Sequence, residues 1–242
     1  MPVQIHTLRA NDDSAAAAIF AQYSQDQPDF DAAHRAQFGA IEGAISATQQ
    51  LGRLPLWEEY TKLNGYGRNM GPTPKRAMND VRTKGNFCRF YAYLAATLAP
   101  AAIIEVGAAF GASGMYWLAG LKTAKSGTLY SSEPNPEWHP IAQENFDLVS
   151  DRNCLTLGTF EDNVSVVEAP AQIALIDAIH TGDFVRQQFD LIQKIAAPGA
   201  LVLFDDINFS DDMKTCWAEI ADSSDWTGVW TLGRRVGVVE LR

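Results

Sequence analysis

The sequence predicts a doubly wound α/β fold: a mostly parallel, seven-stranded sheet with an antiparallel C-terminal edge hairpin, preceded by an N-terminal helical extension. Three observations carry this. After Pro100, continuous apolar runs of four to six residues alternate with longer amphipathic stretches, the pattern of parallel strands covered by helices on both faces. Before Pro100, apolar residues recur at helical spacing. In the last ~18 residues, two β-rich runs, TGVWTLG and RRVGVVELR, lie so close around Gly233 that they read as an antiparallel hairpin.

From the N-terminus, four alanines follow Ser14, and Phe38, Ile41, Ile45 and Thr48 then share one face of a helix over about Asp31 to Leu51. The segment LNGYGRNMGPTP (Leu63 to Pro74) carries three glycines and two prolines, which forbid regular structure and make an unusually long loop. Its Tyr66 and Arg68 are candidates for a lid over a substrate, because loops often carry such work. A second helical stretch covers about Ala77 to Leu98. The chain so divides into a helical extension, residues 1–76, and an α/β domain, residues 77–242. Within that domain the strands read AIIEV, TLYSSE, CLTLG, QIALID and ALVLFDD, with helices starting near Ala112, Pro136 and Thr181.

Composition narrows the partners. Of 242 residues, 47% are hydrophobic and 20% charged, enough to bury a core unaided. Lys plus Arg number 19 against 29 Asp plus Glu, a net charge of −10, which repels phosphate backbones and anionic lipid. That argues against nucleic-acid and membrane partners and for a small, neutral or cationic ligand. The start, MPVQIHTLRANDD, has no basic and apolar leader, and no run approaches the ~20 apolar residues of a membrane span, so a cytoplasmic protein is expected. Cys88, Cys154 and Cys216 form no C-x-x-C pair and read as ordinary thiols. A homodimer is the default assembly.

Ligands of open α/β sheets bind beyond the carboxyl ends of the strands, so the residues there are the candidates for chemistry. The first end is Glu105-Val106-Gly107-Ala108-Ala109-Phe110-Gly111-Ala112-Ser113, where Gly107 and Gly111 would let a ligand lie against bare main chain. Neither G-x-G-x-x-G nor a P-loop is present, which favours a nucleoside without a phosphate chain. Glu133 closes the next strand, where a carboxylate can accept from both hydroxyls of a ribose. Gly158-Thr159-Phe160 offers a resting place for adenine. The last two ends are Asp177-Ala178-Ile179-His180 and Asp205-Asp206.

From about Asp80 onward the sequence resembles the class I S-adenosylmethionine-dependent methyltransferases. EVGAAFGAS is similar to the first motif of that family, SSEPNPEWHPIAQENF to its second and APGALVLFDDI to the strand that ends its core. The resemblance implies a Rossmann-like domain that binds S-adenosylmethionine. It implies cofactor contacts from Glu105, Gly107, Ala109, Phe110, Gly111, Ser113, Glu133, Thr159, Phe160 and Asp177. Asp177 with Asp205-Asp206 most resembles the metal-dependent O-methyltransferases, in which three side chains at such positions hold Mg²⁺. The catechol-type enzymes carry Asp-Ala-Asp-Lys and Asp-Asn. Here His180, three places after Asp177, is closer to the macrocin-like group, whose histidine is thought to act as the base.

The chemistry is consistent with that reading. Three converging carboxylates repel one another without a cation, and hard oxygen ligands suit Mg²⁺ or Ca²⁺. A histidine can take a proton near neutral pH. The expectation is methyl transfer to a hydroxyl of a small molecule, assisted by Mg²⁺ and by His180 as base. Two alternatives are metal-independent N- or C-methyl transfer and a non-catalytic cofactor-binding partner protein. His34 and His139 have no acid or cysteine at useful spacing and read as structural. Asp211 and Asp212 read as capping residues after Ser210, and Trp138 as packing.

Overall fold

The structure, a computed structural model, describes residues 2–62 and 74–242. The chain enters as a strand, β1 (Ile5–Ala10), and Ser14 then starts α1 (Ala15–Ala33), its hydroxyl accepting from Ala17 N at 3.1 Å. At His34 the chain passes into α2 (Arg35–Gln50), so the helix expected over Asp31 to Leu51 is the end of one helix and the whole of another. Its buried side is the expected one, Phe38, Ile41, Ile45 and Thr48. A short ribbon pairs β2 (Leu54–Pro55) with β3 (Lys75–Arg76), and α3 (Glu58–Lys62) lies between them in sequence. Tyr66 and Arg68, the candidate lid residues, lie outside the described residues.

The helix expected over Ala77 to Leu98 is two, α4 (Met78–Val81) and α5 (Gly85–Leu98), because Arg82 and Lys84 both take extended backbone, with ψ 139°. Then come β4 (Ala102–Val106), α6 (Ala112–Ala124), β5 (Thr128–Glu133), α7 (His139–Asp147), β6 (Asn153–Leu157) and the short α8 (Phe160–Asn163). The chain closes with β7 (Ala171–Ile176), α9 (Gly182–Gln193), β8 (Ala196–Phe204), α10 (Asp211–Asp222), β9 (Trp226–Leu232) and β10 (Val236–Leu241).

The sheet runs in the order β1-β9-β10-β8-β7-β4-β5-β6. The five strands from β8 to β6 are parallel; β10, β9 and β1 are each antiparallel to the neighbour before them. The C-terminal hairpin is present but is not the edge. β1 pairs with β9 and takes that place, giving eight strands among the described residues where seven were expected. In IHTLRA only Ile5 and Arg9 are half-buried and the rest is exposed, so the strand leaves no apolar signature in the sequence.

Two apolar layers cover the sheet. On one face α1, α2, α5 and α6 bring Phe20, Tyr23, Phe90 and Trp117 against Trp230 and its neighbours; on the other, α9 and α10 bring Phe189 and Cys216 against Phe204 and Trp226. The helical extension is tied down by a buried acid. Glu240 of β10 accepts from Ala15 N at 3.1 Å, Ala16 N at 3.2 Å and the Ser14 hydroxyl at 2.5 Å, a carboxylate set at the positive end of α1. No helix of the described residues is long and apolar enough to cross a membrane.

Candidate active site

Strand order reverses at β4, whose two neighbours β5 and β7 are reached in opposite directions, and a crevice opens beyond the strand ends there. It holds a cavity of about 390 Å³. One wall is the turn from Gly107 to Phe110 with Ser113 and Trp138; the other is Asp177, His180, Asp206 and Arg235; residues of α4 and of the Arg82-Thr83 break close the third side.

The first wall is built by buried carboxylates. Glu105, fully buried, accepts from the hydroxyls of Ser113 at 2.6 Å and Ser131 at 2.7 Å. Burial pushes its pKa up to about 7, against those two hydrogen bonds. Glu133 behaves alike: its oxygens accept from Ala109 N at 2.7 Å and Asn135 N at 2.8 Å, while burial lifts it to about 7. Glu133 thus fixes the turn from behind and does not line the cavity, nor does Glu105. Gly107 lines the cavity, and packing requires glycine both there and at Gly111. Gly107 has φ +94°, and a Cβ there would stand 2.3 Å from the carbonyl oxygen of Asp177; at Gly111, φ +88°, it would meet Phe146 at 2.9 Å. Between them Ala109 holds the left-handed conformation with φ 48°, its N–H on Glu133.

Thr159 and Phe160, expected beside adenine, stand apart from this cavity. Thr159 caps α8, its Oγ1 accepting from Asp162 N at 3.4 Å, and Phe160 is buried in the core. Trp138 both packs on Phe110, with ring centroids 4.5 Å apart, and lines the cavity.

The second wall gathers the predicted acids. His180 Nε2 lies 3.6 Å from Asp177 Oδ1 and 3.8 Å from Asp206 Oδ2, with the His180 ring 5.2 Å from Phe209. The Thr83 hydroxyl donates to Asp177 Oδ2 at 3.3 Å, which is what the break between α4 and α5 achieves. Asp206 sits at φ 49°, a left-handed conformation that aspartate tolerates better than most residues. Burial alone would lower the His180 pKa, but its hydrogen bond to Asp177 and the charges of the three aspartates outweigh it and raise it above 6.5. Burial would likewise raise Asp177, yet His180 and Arg235 hold it below the usual carboxylate range.

Arg235 was missed by sequence reading. Its Nη2 lies 2.5 Å from Asp205 Oδ2 and its Nε 2.9 Å from Asp205 Oδ1, a bidentate pair, while Nε is also 3.1 Å from Asp206 Oδ1. Burial opposes its charge, but Asp205, Asp177 and Asp206 hold it protonated beyond the ordinary arginine range. A signal was present: three acids need a cation, and Arg234-Arg235 follows Gly233 in the hairpin turn. Only the antiparallel pairing of β10 with β8 places that turn beside Asp205.

Asp177, His180 and Asp205 offer donor atoms within 4.8 Å of one another. The set matches Mg²⁺ poorly, since that ion takes oxygen ligands, several of them waters, near about 2.1 Å, and one of these three donors is an imidazole nitrogen. Both oxygens of Asp205, a fully buried side chain, are already taken by the guanidinium, and so is one of Asp206.

The residues read as structural are so. His34 bridges Phe30 O at 2.8 Å and Thr123 Oγ1 at 2.6 Å, and His139 begins α7. Ser210 caps α10, Asp211 pairs with Lys214 at 2.8 Å, and Asp212 reaches across to accept from Gly182 N at 2.6 Å at the start of α9. Cys88, Cys154 and Cys216 are free thiols.

Residues 104–207 match the family described as a methyltransferase domain. No curated protein matches the sequence. Among solved structures, the O-methyltransferase TomG from Streptomyces achromogenes, involved in tomaymycin synthesis and in complex with SAM, is 17% identical, covering 82% of this chain and 89% of that one, with a TM-score of 0.58. The O-methyltransferase from Bacillus cereus in complex with SAH is 18% identical over 84% of this chain and 100% of that one, with a TM-score of 0.56. An SAH-bound methyltransferase from Podospora anserina is 16% identical over 82% and 94%, with a TM-score of 0.57. At these identities the likeness carries the fold. The segment that supplies the Gly107 turn, Glu133, Asp177, His180, Asp205 and Asp206 is the one that matches a methyltransferase domain, and the sheet around it has the fold of those solved methyltransferases.

Proposed function

We propose that the chain transfers the methyl group of S-adenosylmethionine to a hydroxyl of a small molecule, with His180 as the base. The observation that carries it is His180 itself. On the wall facing the Gly107 turn, its imidazole is 15% exposed and held between two aspartates, one main-chain turn of Rossmann-like glycines away from where the matched domain would seat a cofactor. The neighbours bound to SAM or SAH support the choice of cofactor.

S-adenosylmethionine supplies a methyl carbon on a positively charged sulfur, a leaving group that needs no protonation. The Gly107 to Ser113 turn and Trp138 hold it, with Glu133 and Glu105 keeping that turn in shape. The acids of the opposite wall outnumber the guanidinium, and this negative balance favours a sulfonium in the cavity. His180 accepts the proton of the acceptor hydroxyl on Nε2, the oxygen bonds to the methyl carbon as the carbon–sulfur bond breaks, and the imidazolium is held by Asp177 and Asp206. No step requires the magnesium expected from the three aspartates, whose lone pairs Arg235 shares.

Calorimetric titration with S-adenosylmethionine, followed by a screen of small hydroxyl compounds for methyl transfer, tests this. Cofactor binding with turnover of at least one hydroxyl acceptor supports it; no cofactor binding sinks it.

A further inference from the structure

We infer that Arg235 is the resident cation of this site: it occupies the carboxylate edges a divalent metal would need and positions the acceptor oxygen in the metal's stead. This rests on the methyltransferase reading for the acceptor, but the claim about the cation stands on geometry alone. The guanidinium is built in from both sides. Its side chain engages Asp205 through Nε and Nη2 and Asp206 through Nε. Its main chain is fixed as well, its carbonyl accepting from Ile207 N at 2.9 Å, while Asn208 Nδ2 donates to the carbonyl of Arg234. The turn of the hairpin is thereby laced to the segment that follows Asp205 and Asp206. The pair of Arg186 with Glu219, by contrast, is exposed on the surface.

A guanidinium and a metal ion compete for the same lone pairs. The first takes them as hydrogen-bond acceptors in one plane, the second as ligands converging on one point, and the bidentate geometry at Asp205 is the first kind. Arg235 also lines the cavity beside His180, and Nη1 has no partner among the described residues. Its two N–H groups are donors for an acceptor oxygen, which a positioning cation must present. The substrate class that follows is a compound whose reacting hydroxyl lies next to a second oxygen able to accept those hydrogen bonds.

The test uses Mn²⁺ as the probe, followed by the electron paramagnetic resonance of the free ion, on the whole chain. Wild type should leave Mn²⁺ free at millimolar concentrations. Arg235→Ala should gain one Mn²⁺ site at least about tenfold tighter, because three carboxylates and an imidazole lose their internal cation. Arg235→Ala combined with Asp177→Asn should lose that site again. Thermal unfolding of each variant, with and without Mn²⁺, reports whether it is folded and whether the ion stabilises it. Stoichiometric Mn²⁺ binding by wild type that disappears in Asp177→Asn overturns the proposal, and that arm needs no arginine variant. So does a folded Arg235→Ala that binds Mn²⁺ no better than wild type. If Arg235→Ala does not fold, Arg235→Gln replaces it in the same comparison. Methyl transfer by wild type is scored separately in Mg²⁺ and in EDTA: turnover in Mg²⁺ that EDTA abolishes overturns the arginine proposal, whereas no turnover in either defeats the methyltransferase reading and leaves the Mn²⁺ arms to decide the arginine.

Discussion

The two walls of the cavity bury carboxylates at strand ends and satisfy them by opposite means. At the ends of β4 and β5, Glu105 and Glu133 receive only neutral donors, two serine hydroxyls in one case and two main-chain amides in the other. At the ends of β7 and β8, Asp177, Asp205 and Asp206 face charged partners, His180 and Arg235. Titration follows burial at Glu105 and Glu133, which rise to about 7, and at Asp205, which rises to about 7 even against Arg235; only at Asp177 do the charged partners win and lower the carboxyl. Neutral donors hold the acid in place and leave its charge to be penalised by burial. Charged partners create a place where a proton can be taken and held. The first wall is a scaffold for a ligand, the second a seat for chemistry.

Substitutions can break that comparison, and the largest effect is expected at His180. His180→Ala should lower kcat by roughly 10³-fold, the usual scale for a lost general base, while the dissociation constant for S-adenosylmethionine changes by less than about threefold. Steady-state kinetics and calorimetry on the same variant check both halves; a large loss of cofactor affinity would move His180 to the scaffold wall. Next is Arg235→Ala, which leaves Asp205 buried without its partner and should cost about 3–5 kcal/mol in chemical unfolding. Glu105→Gln, on the neutral wall, should cost only about 1 kcal/mol, since an amide still accepts from one serine hydroxyl. Equal costs for these two would erase the distinction between the walls.

The pH dependence sharpens it. His180 must be neutral to take a proton, and its pKa is raised, so kcat/KM should climb with pH through an inflection above 6.5. Asp177→Asn removes the principal group raising it and should move the inflection down. Stability carries opposite signs at Asp177 and Glu105. Asp177, lowered in the fold, contributes stability that is present above its ordinary value of 3.8 and is lost as pH falls through its lowered folded value. Glu105, raised from 4.5 to about 7, is protonated more in the fold than in the unfolded chain, so its contribution erodes as pH rises between those values. The smallest effect follows: Glu105→Gln should be less destabilising at pH 8 than at pH 5, by denaturant unfolding at both.

How much could be read without coordinates varies with what hides each element. AIIEV and TLYSSE are strands to the residue; the first is nearly all apolar, as a strand covered on both faces should be, while the second also buries Ser131, Ser132 and Glu133. β1 was invisible for the converse reason, being an edge strand with its side chains mostly in solvent. The break at Arg82-Thr83-Lys84 carries no glycine or proline, and it sets the Thr83 hydroxyl on Asp177, 94 residues away in sequence. Asp177, His180, Asp205 and Asp206 could be placed together because the parallel topology brings all strand ends to one side. At Thr159 and Phe160, where the sequence suggests a seat for adenine, the structure adds a cap for α8 and a buried ring, neither of which a strand-end motif announces.

Local pattern by itself determined the alternation of strands and helices, the chemistry of the strand ends and the methyltransferase resemblance, because periodicity and turn residues act between neighbours in the chain. Tertiary structure alone decided that the hairpin is followed outward by β1, that Glu133 serves the turn from behind, and that Arg235 answers the aspartates. Each of these depends on register between strands far apart in sequence, Gly237 opposite Phe204 and Ile5 opposite Leu232, and register is set by the packing of the whole sheet.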